Sequence, residues 1–312
     1  MNRQVRLALS WMFVIMVSLF LASCISTPKQ RTPALLQQAE RRNIAGVNAE
    51  SQGKLAEAES EFMEAHRLFS SVENFHGMVS TLINSSRVFR KKGDIAKAGS
   101  VTDHALNLAE HTPELAAEIY FEKAKISTSK SALDDAVFWA DKAAKTAGEK
   151  DRPRMLNLYS SICLRKGLLE KAKESALVAE RSSRSLGEKR EEGNSLRILA
   201  EVALLEKRFN DSLQLFQSAL AVDKEVAISS RISDDLRGAG RVLEMLGDFK
   251  AAALSFNRSA VANIAGREFS RAGEDLEKVV TLYRKSGDDL RAADALVTLE
   301  KIRSARSGSG PN

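Results

Sequence analysis

A ladder of seven small residues, Ala58, Ala98, Ala136, Ala172, Ser212, Ala252 and Ala293, runs through the chain at spacings of 40, 38, 36, 40, 40 and 41. An apolar residue stands three places before each: Leu55, Ile95, Leu133, Leu169, Phe209, Phe249 and Leu290. Seven places after come Ala65, Ala105, Ala143, Ala179, Ala219 and Ser259, and Glu300 breaks the series. A period this regular marks stacked two-helix units, each leaving an apolar face that only its neighbour can bury. Few other folds are open to such a chain. Arrays of this kind bind other proteins far more often than they catalyse.

Each unit reads as helix, tight turn, helix. Gln52-Gly53-Lys54, Lys92-Gly93-Asp94 and Leu246-Gly247-Asp248 supply turns, with glycine for the left-handed helix end and Asp to cap the next helix. In the stretch 236–260, Leu236, Ala239, Gly240 and Leu243 face one side of a first helix, and Phe249, Ala252 and Phe256 face back from the second. The small side chains at Gly240 and Ala252 let the two helices approach closely. Thr112-Pro113 and Asp151-Arg152-Pro153 suit helix starts. Strand signals are absent, since no alternating apolar run is bounded by turn residues.

This signature resembles the tetratricopeptide repeat. The resemblance spans about Ala39 to Ile302. The family's small position in the first helix falls twelve residues before each rung, on Gly46, Ser86, Ala124, Ser160, Ala200 and Gly240. The last unit departs: Val280 takes that position, with one residue inserted around Asp288-Asp289. The period is nearer 40 than the family's 34, which suggests extended helices and longer inter-repeat loops, such as Arg184 to Gly193. The implied fold is an all-α, right-handed solenoid of about seven repeats over residues 35–303, followed by a frayed tail, 304–312.

The first residues carry an address. Arg3 and Arg6 precede a 14-residue apolar stretch, Leu7–Phe20, and then Leu21-Ala22-Ser23-Cys24. That is the layout of a secretory signal peptide, here residues 1–23, and the run is short for a bilayer span. The last four residues resemble the lipobox of bacterial lipoproteins. The resemblance implies acylation of Cys24, with palmitate-type chains, and cleavage before it. Ile25 rather than Asp at the next position implies the outer membrane, facing the periplasm. An uncleaved signal anchor is the other reading. Residues 24–34 then form a polar tether with two prolines.

Loss of Arg3 and Arg6 with the leader leaves 45 basic and 41 acidic residues, too small an excess to point to nucleic acid. With Cys24 acylated, Cys163 has no disulfide partner and reads as a buried, inert thiol. His66, His76, His104 and His111 show no zinc spacing and read as solvated or capping. The acidic pairs Asp134-Asp135, Asp234-Asp235 and Asp288-Asp289 each lie near an expected helix start, where they suit the helix dipole. Trp139 and the phenylalanines read as core filling. No phosphate-binding loop, nucleophile elbow or dinucleotide motif is present, so no cofactor, metal or small-molecule substrate is expected and the chain reads as non-catalytic.

In the tetratricopeptide family, positions 2, 5, 9 and 12 of each first helix line the concave groove. That frame implies a partner groove of Arg87, Arg90, Lys125, Arg154, Asn157, Asn194, Arg197, Arg237 and Arg241, with Ser161 and Glu201 beside them. Such a groove is predominantly basic and could take acidic or extended segments of other proteins, arginine offering carboxylates a rigid fork. Alternatively the arginines pair with Glu122, Glu201 and Glu244 on a solvated face. The family's carboxylate-clamp set is not reproduced. The expectation is a membrane-tethered adaptor that aids assembly of an envelope complex in secretion, pilus or cell-wall machinery, a role the resemblance implies. A self-associating structural lipoprotein is the alternative.

Overall fold

Every turn from a first to a second helix is closed by the same device. A residue with positive φ sits at Gly53, Gly93, Ser131, Gly167, Lys207, Gly247 and Gly287. Beside each, one backbone bond spans six residues: Lys54 N to Ala49 O, Asp94 to Phe89, Ala132 to Ser127, Leu168 to Cys163, Arg208 to Ala203, Asp248 to Leu243 and Asp288 to Tyr283, all 2.8–3.0 Å. This left-handed cap satisfies the last carbonyls of one helix and aims the chain back along it. Asp94, Asp248 and Asp288 add side-chain caps to the helices that follow.

The computed structural model describes residues 33–308. Seven helix pairs follow in order: α1 (Ala34–Ser51) with α2 (Leu55–Ser70), α3 (Phe75–Lys91) with α4 (Ile95–Asn107), and α5 (Ala116–Ser129) with α6 (Leu133–Thr146). Next come α7 (Arg152–Arg165) with α8 (Leu169–Leu186), α9 (Lys189–Leu205) with α10 (Phe209–Val226), α11 (Ser229–Met245) with α12 (Phe249–Ala265), and α13 (Phe269–Lys285) with α14 (Asp289–Gly308). Each helix packs on the next, so the chain is an all-α solenoid. Among the described residues no helix is long and apolar enough to cross a membrane. The expected leader and Cys24 lie outside the described residues.

The rungs Ala58, Ala98, Ala136, Ala172, Ser212 and Ala252 are fully buried, as are Ala65, Ala105, Ala143, Ala179, Ala219 and Ser259. Small side chains there let large ones in. A methyl group on Gly46 would stand 2.5 Å from the Phe62 ring, and one on Gly240 would stand 2.8 Å from Phe256. At two crossings a serine hydroxyl donates across, Ser86 to the Ala98 carbonyl at 3.1 Å and Ser212 to the Ala200 carbonyl at 2.8 Å, whereas the buried Ser160 hydroxyl opposite Ala172 finds no partner among the described residues.

The seventh rung is Ala292, not Ala293. Ala292 is buried, Ala293 is exposed, and Leu290, expected inside, is 76% exposed. The turn at Gly287 lies 40 residues after Gly247, so no residue is inserted and the frame continues unbroken. Seven places on stands buried Leu299 rather than Glu300. The helix α14 also runs through Gly308, beyond the expected end at 303.

Two connections differ from expectation. Arg184 to Gly193 is no long loop: α8 runs to Leu186, Gly187 turns with φ 71°, and α9 starts at Lys189. The long period comes from helices of 17 or 18 residues in this region. Between α4 and α5, Thr112-Pro113 opens a short 3-10 turn, Pro113–Leu115, and the Thr112 side chain caps nothing. Pro153 does sit in the first turn of α7.

A groove along the first helices

The first helices of repeats two to six, α3, α5, α7, α9 and α11, line one groove of about 540 Å³. Six of the nine expected groove residues stand there together: Arg87, Lys125, Arg154, Asn157, Asn194 and Arg197, joined by Ser161 and Glu201. Arg90, Arg237 and Arg241 do not line it. Arg90 reaches Glu122 at 3.3 Å, Arg237 reaches Asp275 and Glu274 at 2.9 Å, and Arg241 pairs with Glu201. The expected pairing with Glu122 and Glu201 is therefore real, while Glu244 instead holds Lys278.

Pairing offsets the charge of Arg87, Arg154 and Arg197 and leaves three cations of the lining without an ion partner among the described residues. Its lining carries six cations, Arg87, Lys125, Arg154, Arg190, Arg197 and Arg231, against Glu122, Glu191 and Glu201. Arg87 reaches Glu50 and Arg154 pairs with Glu118. Lys125, Arg190 and Arg231 have no ion-pair partner among the described residues. Lys125 rests its ammonium 4.9 Å above the Phe121 ring, which the Arg154 guanidinium covers at 4.4 Å. Burial pulls the Lys125 ammonium below the usual lysine range, Glu122 opposes that, and Arg90, Arg87 and Arg154 add to it. Arg231 donates to the Arg190 carbonyl at 3.0 Å and to Asn194 Oδ1 at 2.5 Å. Phe121, Leu158, Leu164 and Ile198 supply apolar surface between these charges.

The frame used for sequence reading missed Arg190 and Arg231. A signal for Arg231 existed: Arg271 stands 40 residues on in the same position and makes the equivalent contact, to Asp234 as Arg231 does to Asn194.

From repeat two onward, equivalent positions of successive first helices share a hydrophobic cluster or a side-chain bond along the inner seam. In chain order the pairs are Ile83 with Ile119, Phe121 with Met155, Asn157 with Ser195, Arg197 with Asp235 and Arg237 with Asp275. The Ser195 hydroxyl donates to Asn157 Oδ1 at 2.7 Å, and Arg197 Nε donates to Asp235 Oδ1 at 2.7 Å. Arg197 also holds Asp223. Both acids are fully buried. Burial, against the pull of Arg197, pushes the Asp235 carboxyl up to about 7.

Asp234-Asp235 thus corrects the capping expectation. The helix α11 begins at Ser229, the pair lies in its interior, and both acids bind arginines of other helices. Asp134-Asp135 does occupy the first turn of α6, and Asp288 caps α14. Cys163 is buried, and burial raises its thiol above the usual range. His66 is not a solvated residue. It lies half-buried, 3.2 Å from the Thr81 hydroxyl and edge-on to His104. His111 stacks on Phe75. Trp139 is half-buried, stacked on Tyr120 with Lys123 and Lys142 over the rings, and Phe138 is mostly exposed, because Ala136 and Ala140 take the inward positions of α6.

No protein-family model and no curated protein matches the sequence. Solved structures do. A signal-transduction ATPase with numerous domains and a tetratricopeptide repeat sensor from Pyrococcus horikoshii is 15% identical, with a TM-score of 0.67 over 84% of this chain. The match spans 41% of that protein, less than half its length. A Rap protein solved with competence and sporulation factor is 14% identical, TM-score 0.61, over 86% of this chain and 77% of that one. PilF of Pseudomonas aeruginosa is 15% identical, TM-score 0.56, over 73% and 93%. At these identities the likeness establishes the fold: the chain is a tetratricopeptide-like repeat protein.

Proposed function

We propose that this chain is a non-catalytic adaptor that holds an acidic, extended segment of another protein in the groove of its first helices. The observation that carries the reading is the groove itself: three cations without ion-pair partners, Lys125, Arg190 and Arg231, set around an apolar strip. The helices of a solenoid are rigid before binding, so the arriving segment alone bears the cost of ordering. The Rap relative was solved with a bound factor, which is consistent with such use of the fold. The apolar stretch Leu7–Phe20 and the following Cys24 support a lipid tether in the bacterial envelope, and two or more acyl chains suffice for stable anchoring. Assembly of an envelope complex is the role this combination fits.

Two experiments test this. Lys125→Glu with Arg231→Glu should keep the helical circular dichroism and lose the partners that wild type captures from envelope extracts by crosslinking. An unchanged set of crosslinked proteins sinks the groove reading. Cys24→Ser should move the protein from the membrane to the soluble fraction, and retention of the variant in membranes favours the signal anchor.

A second reading has its own observation. The terminal helices expose Leu35, Ile44 and Val47 on α1 and Leu290 and Val297 on α14. End-to-end self-association would cover them. Light scattering that shows mass rising with concentration, without partner, supports it over the adaptor.

A further inference from the structure

Arg197 stands between two carboxylates that water does not reach, Asp223 from α10 and Asp235 from α11. One guanidinium serves both, so the trio is one negative charge in excess when both acids are ionised. Asp223 Oδ1 and Asp235 Oδ2 each lack a hydrogen-bond donor. The two carboxyls meet adjacent donors of that guanidinium, Asp235 at Nε and Asp223 at Nη2, so they stand side by side. Two adjacent buried carboxylates, each with an unsatisfied acceptor, form an arrangement that a single proton relieves. One further cation acts on the pair through space without bonding to it: Arg231, drawn by Asp223, places its guanidinium on Asn194. From α9, Glu191 and Arg190 lie further along the groove; from α11 come Arg231, bound to Asn194, and Asp234, which Arg271 of α13 holds. From α12 the neighbour is the neutral Ser259, whose hydroxyl donates to the Ser233 carbonyl at 3.1 Å and to Asp275 at 2.7 Å.

We propose that Asp223 and Asp235 share one exchangeable proton, and that its presence makes the groove bind an acidic segment more tightly. The inference rests on the groove reading above. Arg197 lines the groove, so its charge is felt there. Proton uptake converts one carboxylate to a carboxylic acid, whose hydroxyl then donates to the other acid. The trio moves from a net charge of minus one to zero. An anionic ligand beside it loses one repulsive partner.

The probe is a rhodamine-labelled hexaglutamate peptide, which stays ionised between pH 6 and 8.5. Its dissociation constant is measured by fluorescence anisotropy at fixed salt. In wild type it should fall about five-fold from pH 8.5 to pH 6, the effect of one charge across a partly wet groove. Asp235→Asn and Asp223→Asn, isosteric and checked for folding by circular dichroism, should each bind with no pH dependence over that range. Carboxyl carbon NMR of wild type should show one aspartate titrating near neutrality. Equal pH slopes in wild type and both variants, or all aspartates fully ionised by pH 5.5, overturn the proposal. Binding that is retained but insensitive to pH defeats the proton linkage alone. Absence of binding at every pH defeats the groove reading itself, and the linkage with it.

Discussion

The two ends of the inner seam solve one packing problem with different chemistry. Between repeats two and four the facing residues are Ile83 with Ile119 and Phe121 with Met155. From repeat five onward the same positions hold Arg197 with Asp235 and Arg237 with Asp275, and Asn157 with Ser195 stands between the two regimes. The helices differ, 13 or 14 residues in α4–α7 against 17 or 18 in α8–α13, but the seam positions keep the same offset from the left-handed turn in both halves, so the contrast there lies in the side chains. An apolar pair gains from leaving water and tolerates loss of a methyl group. A buried ion pair gains little over a hydrophobic pair of the same size, but losing one partner strands the other in a poor solvent.

The largest effect should come from Arg197→Ala, which leaves Asp223 and Asp235 buried without a cation. A loss of about 3–5 kcal/mol is expected by urea unfolding. On the apolar side Ile119→Val should cost about 0.5–1.5 kcal/mol. Comparable losses from the two would show that the seam is energetically uniform. The converse replacement sharpens the contrast: Arg237→Met with Asp275→Leu, made together with Ser259→Ala and Asn263→Leu so that the two buried donors to Asp275 are not stranded, should be neutral or stabilising by about 1–4 kcal/mol. A loss of several kcal/mol from that set would mean that the ionic seam is a true stability source.

The halves should also answer pH in opposite senses. Burial places the Asp235 carboxyl above its unfolded range, at about 7. The folded state then binds more protons between the unfolded carboxylate range and about pH 7, so stability in repeats five and six falls as pH rises through that window. Burial also raises Asp275, in the same direction. In the N-terminal half, burial lowers the His66 imidazole, with Met78 opposing and His104 adding to the shift. There the unfolded state binds more protons, so stability is lost as pH falls through the unfolded histidine value, about 6.5. Hydrogen exchange by mass spectrometry, corrected for intrinsic rates, should show α9–α11 better protected at pH 5.5 than at pH 8, and α2–α4 the reverse. A common trend in both halves would contradict the assignment.

The smallest effect concerns the turns. Lys207 holds a left-handed φ of 61° where Gly167 and Gly247 hold the equivalent turns. Lys207→Gly should stabilise by about 0.5 kcal/mol, because glycine avoids the Cβ penalty but gains freedom when unfolded. A melting point lowered by the change would count against the turn geometry.

The ladder was legible because side-chain size is decisive at a tight crossing and glycine or serine leaves no doubt there. It slipped by one at the end because Ala292 and Ala293 are equally small. Size alone cannot choose between them, whereas the spacing of Gly287 from Gly247 can. The groove was legible in six of its nine expected residues because the first helices keep one phase through repeats two to six. Asp234-Asp235 was misread because a charge at a helix start and a charge inside a helix look alike in one dimension. Its partner Arg197 is 38 residues away, and only the repeat brings the two together.

The seam also forbids shuffling. Each repeat boundary from Gly187 to Ala227 to Arg267 turns alike at intervals of 40, so excising residues 188–227 would rejoin two ends of the same shape. Yet the shortened coil would set Asn157 opposite Asp235, an amide against an acid stripped of its cation. Modules that are interchangeable in outline are therefore ordered by what each must offer the next.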